Sequence, residues 1–567
     1  MQADQIIRNL DKLKADRTEL NAVLEQCAAF ACPEKMGMYL DHADSGGDDR
    51  PRYIIIDEIS EANSILSRGL FSNLCPPSLQ WFSFSSNKKE YKESEAVKKF
   101  FSEAGVSLYN LLMKSSFTME INEAFEDFGW AGTTNLYVER DPKRTFRFVN
   151  LHIGEYYVEE NHYKQVDTVY REFKLTARQA LQRFGNPGDK LPEKVLKDAR
   201  DPDAAKSGRK YTFIHLVTPN LDRTMDADGK YHPGNSNKAF KSVYVCREEK
   251  FTIRESGYDR NPYTVSRFEK KSQSIYGFSP AMRVLRTAKI ENKVWASLLK
   301  AADKAIDPPV MLDAAAYGRG ISPQFFYNPK AVNLYDSTAT GGGGKPEFQP
   351  VPANLPVGLE MFDRLDQHIN RAYYTDMFQM IQQLNQDSGR QRTAYEIMNL
   401  VSEKNSMIIP VVGRILDEMF SPLLIKCFFL ALEAGELGKL PDELIHADEL
   451  DLEVSYNSPL ALAAKRAELN GFFESLDMLT PLANIKPEVL DYINFDKVTK
   501  KVLNNTGAHP DFIRSNAEVK KLREERAAQE QQAQEQLMMT ELAKSQDLTR
   551  KIEPDSAVSA IGGLLGG

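Results

Sequence analysis

The glycine-rich segment around residue 342 has the residue types of a phosphate-binding loop. Gly341 to Gly344 and Lys345 resemble the part of such a loop in which backbone N–H groups and a lysine bind phosphates. The spacing does not fit, because Ala339 stands where the first glycine belongs and Pro346 where serine or threonine is needed. The segment therefore does not indicate a nucleotide-binding site or an NTPase.

A second candidate for chemistry is the segment from Gly277 to Ala281, which superficially resembles the nucleophile elbow of hydrolases. Pro280 and Ala281 replace the last two residues of that motif. Ser279 followed by Pro280 instead suits a helix N-cap with proline at the first helical position. The eight histidines stand singly and no HExxH occurs, so no metal site is indicated. We expect neither an enzyme nor a cofactor.

Basic residues at helical spacing are the remaining chemical signal. At about 100° per residue they form a stripe about 60° wide on the predicted helix 279–306. Its members are Arg286, Lys289, Lys293, Lys300 and Lys304. The stripe is either a solvated face or a surface for sequence-independent contact with phosphates. Arg390 and Arg392, in a polar loop beside Gly389, have two interpretations, nucleic-acid contact or helix capping.

The helix that carries the stripe is one half of a predicted helical hairpin. Helix one, 279–306, and helix two, 359–380, are separated by about fifty residues rich in glycine and proline. Helix one has a wide apolar surface with many alanines. A single partner helix would leave part of this surface exposed to solvent. We expect further helices, including those of other subunits, to pack there. The packing candidates are Leu285, Trp295, Leu299 and Ala302.

The segment between the two helices predicts a small module at the tip of the hairpin. Residues 325–327 and 331–335 have the pattern of short strands, and 341–344 of a flexible turn. The tip either docks a partner or is an ordered cap. The docking candidates are Phe325, Phe326, Tyr327, Gly341, Gly344 and Lys345.

The rest of the chain predicts an α+β protein that is mainly helical. Periodicity indicates helices over 4–30, 57–75 and 91–128, and then, after residue 132, strands in a meander with a short helix opened by Thr176. Residues 186–210 have the composition of a surface loop. After the hairpin we expect a helix over 393–432 bent at Pro410 and Pro422, short helices over 459–504 and a helix over 515–551.

Composition limits the class of protein. A chain of 567 residues exceeds a single core, so two to four domains are expected. A net charge of −8 argues against a surface coated in basic charge for duplex DNA. Five scattered cysteines predict free thiols in a reducing compartment. The first 14 residues lack an apolar region typical of a secretory signal, and the longest apolar run, 423–432, is interrupted by Lys426 and too short to span a bilayer.

Several short motifs, taken in order, are similar to those of one family. They are Trp81-Phe82, Gly132-Thr133, Glu255 to Tyr258, Pro262-Tyr263, Tyr276 to Pro280, Asp307-Pro308-Pro309, Thr393 to Glu396, and Pro410, Arg414, Glu418 and Pro422. Over residues 10 to 500 the chain resembles the head-to-tail connector, or portal, proteins of short-tailed bacteriophages. Each motif is weak alone, and their order makes the resemblance specific.

The resemblance implies a portal fold assembled as a ring. The wing would be 1–275 together with 396–456, and the helical stem would be helix one, 276–306, and helix two, 357–378. A small α/β clip would be 307–356, the channel loop 379–395 and the helical crown 457–514. The Gln/Glu-rich tail, 515–567, departs from the part of the family that matches, and its role stays open.

The resemblance also implies a function and partners. A ring of twelve subunits would sit at one capsid vertex of the virion, having been made in the host cytoplasm, and would form the channel for genome packaging and ejection. Partners would be double-stranded DNA without sequence preference, the terminase large subunit, tail adaptor and tail proteins, and major capsid and scaffolding proteins, with no membrane. The channel-facing candidates would be Arg390, Arg392, Lys293, Lys300 and Lys304. The alternative is another oligomeric virion protein, such as a tail adaptor or an internal head protein.

Overall fold

The computed structural model describes most of the chain in separate stretches. They are residues 2–37, 53–88, 91, 94–141, 143–223, 237–313, 326, 328–335, 355–378, 408–445, 452–458, 475–476, 479, 493–506 and 516–550. The chain divides into two compact units, Met1–Phe472 and Phe473–Gly567. Within the described residues, no helix combines the length and apolarity needed to cross a bilayer.

The described helices of the first unit lie mainly in its N-terminal third and after residue 279. They are α1 Ala3–Asp16, α2 Thr18–Ala31, α3 Glu58–Leu74, α4 Glu95–Lys114, α5 Phe117–Trp130, α6 Ala177–Phe184, α7 Glu193–Arg200, α8 Ala204–Ser207, α9 Pro280–Ile306, α10 Leu355–Ala372, α11 Ser421–Glu433 and α12 Asp442–Ile445. The second unit contains α13 Phe495–Thr506 and α14 Asn516–Arg550, and Arg523 of α14 forms an ion pair with Asp496 of α13.

The described strands form four sheets. They are β1 Phe82–Ser86, β2 Thr133–Asp141, β3 Thr145–Asn150, β4 Tyr156–Glu160, β5 Val166–Thr176, β6 Lys210–Pro219, β7 Phe240–Cys246, β8 Phe251–Tyr258, β9 Tyr263–Arg267, β10 Val310–Asp313, β11 Val332–Tyr335 and β12 Leu452–Tyr456. Strands β4 to β8 make an antiparallel meander, and β2 lies between β3 and β9. Strand β1 pairs antiparallel with β12, and β10 pairs parallel with β11. The α+β fold class is therefore confirmed.

Two helices predicted as continuous are each broken in two. The predicted helix 4–30 is interrupted at Arg17, whose buried guanidinium donates to Tyr156 O at 2.6 Å and lies 3.8 Å from the centre of the Tyr157 ring. The predicted helix 91–128 is interrupted at Ser115 and Ser116, whose hydroxyls bond to backbone carbonyls of Leu112 and Phe148. At Ser115 a hydroxyl bonds to the backbone of its own helix and competes with the helix ladder, whereas Arg17 and Ser116 bond to the neighbouring strands β4 and β3.

Two further predictions of local structure need correction. The stretch 186–210 is not only a loop, because α7 and α8 lie within it, and Val195 of α7 packs into a core with Phe184 and Phe213. Helix two ends at Ala372, short of the predicted residue 380, because Tyr374 takes a left-handed conformation with φ of 58°. A short helical turn, 375–378, follows. By contrast, the helix opened by Thr176 is confirmed, and Thr176 and Gln179 form a capping box.

The main core joins segments that are far apart in sequence. Trp81 packs edge-to-face on Phe420, with ring centroids 4.8 Å apart, and Phe84 packs on Phe428 at 5.1 Å. A helical stretch begins at residue 408 and continues through a π-helical segment into α11, and we call it the helix 408–433. Together with the β1–β12 pairing, these contacts attach the helix 408–433 to the N-terminal part of the chain. Residues 408–456, as far as they are described, and the N-terminal part of the chain therefore share one hydrophobic core.

The helix over 408–433 contains a π-helical segment, Leu416–Phe420, between the two prolines at which a bend was predicted. Pro422 has no N–H to donate to the preceding turn. The hydroxyl of Ser421 donates to Leu416 O at 2.9 Å within this segment. A π segment accommodates one extra residue in a helix and often marks a functional position.

Candidate functional site

The N-terminus of helix one, α9, is fixed to the body of the first unit by close backbone packing. Gly277 N donates to Thr133 Oγ1 at 2.8 Å, and Ser279 Oγ donates to Trp130 O at 2.9 Å while accepting from Met282 N at 3.0 Å. A Cβ on Gly277 would lie 2.0 Å from Gly132 O, so only glycine fits. The motifs at 132–133 and 276–280 are therefore one structural anchor.

Helix one packs antiparallel against helix two, α10, over its outer half. The Trp295 and Phe362 rings lie 5.0 Å apart, and Leu298 closes on Gly358, where a Cβ would lie 2.5 Å from Leu298 Cδ2. At its base, helix one buries Ala281, Val284 and Ala288. Beyond Glu291, every residue of helix one is at least partly exposed in the single chain.

Apolar side chains are exposed on both flanks of the hairpin. At about 100° per residue, Leu299 and Ile306 lie on one flank of helix one, with exposed fractions of 44% and 77%. Ile290 and Ala305 lie on the other flank and are also exposed. Helix two adds exposed Leu359 and Met361, and Val310, Phe326 and Val332 are exposed at the tip. Exposed apolar residues grouped in this way mark a contact surface.

The predicted stripe lysines Lys293, Lys300 and Lys304 lie on the side of helix one away from helix two. Lys293 and Lys300 are exposed and Lys304 is half-buried. On the helical wheel the stripe is opposite Trp295 and Leu298, which face helix two. The hairpin therefore has one basic face and two apolar flanks.

At the tip, only part of the predicted docking set falls within the described residues. Phe326 N donates to Asn333 Oδ1 at 2.7 Å, and Asn333 Nδ2 donates to Phe326 O at 3.0 Å, which fixes this segment beside β11. The other docking candidates and both loop arginines lie outside the described residues. They are Phe325, Tyr327, Gly341, Gly344, Lys345, Arg390 and Arg392.

The motif residues Pro410, Arg414, Glu418 and Pro422 repeat every four positions and line one wall of a cavity of about 850 Å³. Glu418, at the centre of the π segment, accepts from the backbone N of Arg267 at 3.0 Å and from its guanidinium at 3.1 and 2.8 Å. Arg267 is buried and also contacts Glu160. These bonds join the helix 408–433 to strands β4 and β9, a linkage across 151 sequence positions that sequence reasoning missed.

The sequence analysis assigned no role to three ionisable groups that the structure buries. They are Glu291 of helix one, Lys426 of α11 and His215 of β6. His215 of β6 lies 2.5 Å from Tyr263 Oη and 3.0 Å from Ser242 Oγ, and its ring stacks on Tyr244. Burial holds the pKa of His215 well below its usual range, so the imidazole is a neutral, hydrogen-bonded core residue.

One group of potential metal ligands occurs in the described part of the chain, formed by Cys32, Glu34 and Glu126. Lys35 already occupies this neighbourhood, with Nζ 2.7 Å from Asp127 and 3.8 Å from Glu126. Burial, with Glu126 beside it, raises the pKa of the Cys32 thiol far above its usual range, whereas a metal needs the thiolate. The ammonium group of Lys35 neutralises the carboxylates of Glu126 and Asp127. We therefore assign no metal to this group of residues.

Comparison with known proteins decides what this arrangement belongs to. A family model described as bacteriophage head to tail connecting protein matches residues 3–513. The chain belongs to this family. It is also 28% identical to the portal protein of Salmonella phage epsilon15 over 99% of this chain and 98% of the relative. It is 27% identical to a probable portal protein of Bordetella phage BPP-1 over 94% and 92% of the two chains.

The family assignment confirms the resemblance and the function as a portal, or head-to-tail connector. This connector has its anchor motif, hairpin and π segment within the matched range. Helix α14 begins at Asn516, just beyond that range, whereas the alignment with the epsilon15 relative covers nearly the whole chain.

Proposed function

We propose that this connector forms a closed ring in which the hairpins stand side by side around a channel for double-stranded DNA. The observation that carries the proposal is the hairpin with apolar residues exposed on both flanks, represented by Leu299 and Ile290. In a closed ring, one flank of each hairpin packs against the opposite flank of the hairpin in the next subunit. Both apolar flanks of every subunit are then buried, and no subunit is left with an unpaired flank. The family resemblance suggests twelve subunits.

The regions of the subunit follow from the same proposal. The wing comprises 1–275 and 396–456, a division supported by the β1–β12 pairing and the shared core. Helices 276–306 and 357–378 form the stem, and 307–356 forms the clip, supported by the parallel pair β10–β11. Residues 379–395 form the channel loop, 457–514 the crown, and 515–567 a tail without an assigned role.

The basic face of helix one is the proposed DNA contact. Lysine ammonium groups on flexible stems attract phosphates without reading bases. A net charge of −8 leaves the rest of the protein repulsive to DNA, which favours sliding over tight binding. We assign Lys293, Lys300 and Lys304, with Arg390 and Arg392, to the channel wall.

The clip is the proposed docking surface, first for the terminase large subunit and then for tail proteins. Its support is the exposed apolar group Val310, Phe326 and Val332 at the far end of the hairpin. The wing would face the capsid and scaffolding proteins, at one vertex of the virion. The docking role extends to Phe325, Tyr327, Gly341, Gly344 and Lys345.

Replacing Leu299 with glutamate tests the ring. The charged side chain would be buried without a partner at every subunit contact, so rings should be lost while the chain stays folded. The matched control is Leu221→Glu, at a loop position 91% exposed. Electron microscopy of negatively stained protein and sedimentation velocity should show annular particles for the wild type and the control.

Folding of each variant is checked by its thermal unfolding profile. A wild-type chain that stays monomeric at all concentrations, or Leu299→Glu rings as abundant as those of the control, would contradict the proposed packing of the hairpins.

A further inference from the structure

Glu291 is the most unusual ionisable residue of the hairpin. Its exposed fraction is 0%, and neither side-chain oxygen has a hydrogen-bond partner within the described structure. It is the last fully buried residue of helix one before the outer half of the hairpin. A carboxylate in such a position loses its hydration without compensation.

The groups that face Glu291 from neighbouring elements are acidic. Glu58, at the start of α3, and Asp366, on helix two, are both close enough to act on it electrostatically. Glu58 Oε2 is itself buried and unpartnered, and Asp366 accepts only from Asn370 at 2.7 Å among its described bonds. Further carboxyl groups surround these two, namely Asp57, Glu61, Asp363 and Asp376.

Cations on the adjoining elements are directed elsewhere. Lys289 and Lys293 lie on the exposed stripe of helix one, and Lys289 donates to Gln26 of α2. Lys35 is surrounded by the carboxylates of α5. Cys27 of α2 is a neutral thiol, because burial raises its pKa to about 12. The charged groups that act on Glu291 are Glu58 and Asp366, and no cation of the described residues is among them.

These carboxyl groups lie where the hairpin joins the body. Asn292, next to Glu291, accepts from Ile55 N at 2.9 Å and donates to Tyr53 O at 2.7 Å, so helix one is tied to the segment that leads into α3. The three acidic residues come from three separate helices, α3, α9 and α10. Their mutual repulsion therefore acts directly on the packing of these helices.

We propose that Glu291, Glu58 and Asp366 form a proton-operated latch, in which a proton on Glu291 keeps the hairpin packed on α3 and its loss loosens that joint. Burial, together with the charges of Glu58 and Asp366, raises the pKa of Glu291 from 4.5 to about 8. At neutral pH the closed latch therefore holds its proton. The latch is a property of the single chain and does not depend on the ring.

The direction of the pH effect follows from linkage. In the open state Glu291 is hydrated and titrates at its ordinary pKa of 4.5, whereas in the closed state it keeps its proton up to about pH 8. The contact between the hairpin and α3 is therefore most stable at low pH and becomes less stable as the pH rises towards 8. Between those two pKa values the opening constant rises by up to about tenfold per pH unit. Above pH 8 it levels off, because Glu291 is then ionised in both states.

Hydrogen exchange of the full-length chain, corrected for the intrinsic pH dependence of exchange, measures this opening. Between pH 6 and pH 8 the protection factors of 280–292 and 58–66 should fall by up to about a hundredfold in the wild type. In Glu291→Gln they should stay nearly constant, because the amide does not titrate. Asp303→Asn, at an exposed position of the same helix, is the matched control and should behave as the wild type.

A second variant keeps the test decisive if Glu291→Gln folds poorly. Glu58→Gln removes one of the two acidic neighbours that raise the pKa of Glu291, so the fall in protection should level off at a lower pH than in the wild type and be smaller in total. Protection that is independent of pH in the wild type, or an unchanged pH dependence in either variant, would overturn the latch. Restoration of protection at pH 8 by millimolar Ca²⁺, lost again with chelator, would identify a cation site instead and would also overturn it.

Discussion

Lys426 provides a direct test of the electrostatics of the core. It is buried on α11, its Nζ donates to Thr264 Oγ1 at 3.1 Å, and no acidic residue is among the groups that act on it. Burial lowers its pKa from 10.5 to about 7. The unfolded chain therefore binds a proton more tightly than the folded chain, and the folded state is penalised wherever the unfolded state holds that proton.

The size of the penalty follows from the shift. A pKa lowered from 10.5 to about 7 corresponds to about 5 kcal/mol. This cost is complete below pH 7, decreases as the pH rises, and vanishes above pH 10.5. Lys426→Met keeps the volume and removes the charge, at the loss of one hydrogen bond worth about 1 kcal/mol. We expect a net gain of about 4 kcal/mol at pH 6 to 7.

Thermal unfolding at several pH values measures this gain. With an unfolding entropy of about 2 cal/mol/K per residue over a unit of more than 400 residues, 4 kcal/mol raises Tm by roughly 4 °C. The difference between variant and wild type should shrink to nothing or reverse near pH 10. Lys439→Met, at an exposed position, is the control. A gain that does not change with pH, or a lower Tm of Lys426→Met at pH 6, would refute the reasoning.

Two further predictions concern the π segment and the basic face. Glu418→Gln leaves the buried Arg267 without its bidentate carboxylate, which should destabilise the chain by about 3 kcal/mol; a denaturant midpoint equal to that of wild type would contradict this. Replacing Lys293, Lys300 and Lys304 with glutamine should weaken DNA binding and reduce the slope of log affinity against log salt by about 3. Lys439→Gln serves as control in a fluorescence titration, and an unchanged slope would exclude the stripe from the channel wall.

Much of the local structure could be predicted from the sequence, because its causes are local. Ser279 followed by proline marks the start of helix one, and the side chain caps the helix as expected. Thr176 opens α6 for the same reason. The alternating patterns after residue 132 predicted the meander strands, since one face of each strand is buried. The breaks at Arg17 and at Ser115-Ser116 were missed, because Arg17 and Ser116 bond to carbonyls of other elements, Tyr156 and Phe148.

The sequence by itself determined the hairpin, the angular position of its basic stripe, and the family through the order of short motifs. It also held a signal for Lys426, the only charge within the apolar run 423–432. Tertiary structure alone decided which of these residues are buried and what they face. Arg267 meets Glu418, and Glu291 meets Glu58 and Asp366, only when distant segments pack together. The pKa and energy of a charged group depend on that burial and those neighbours, which no local pattern specifies.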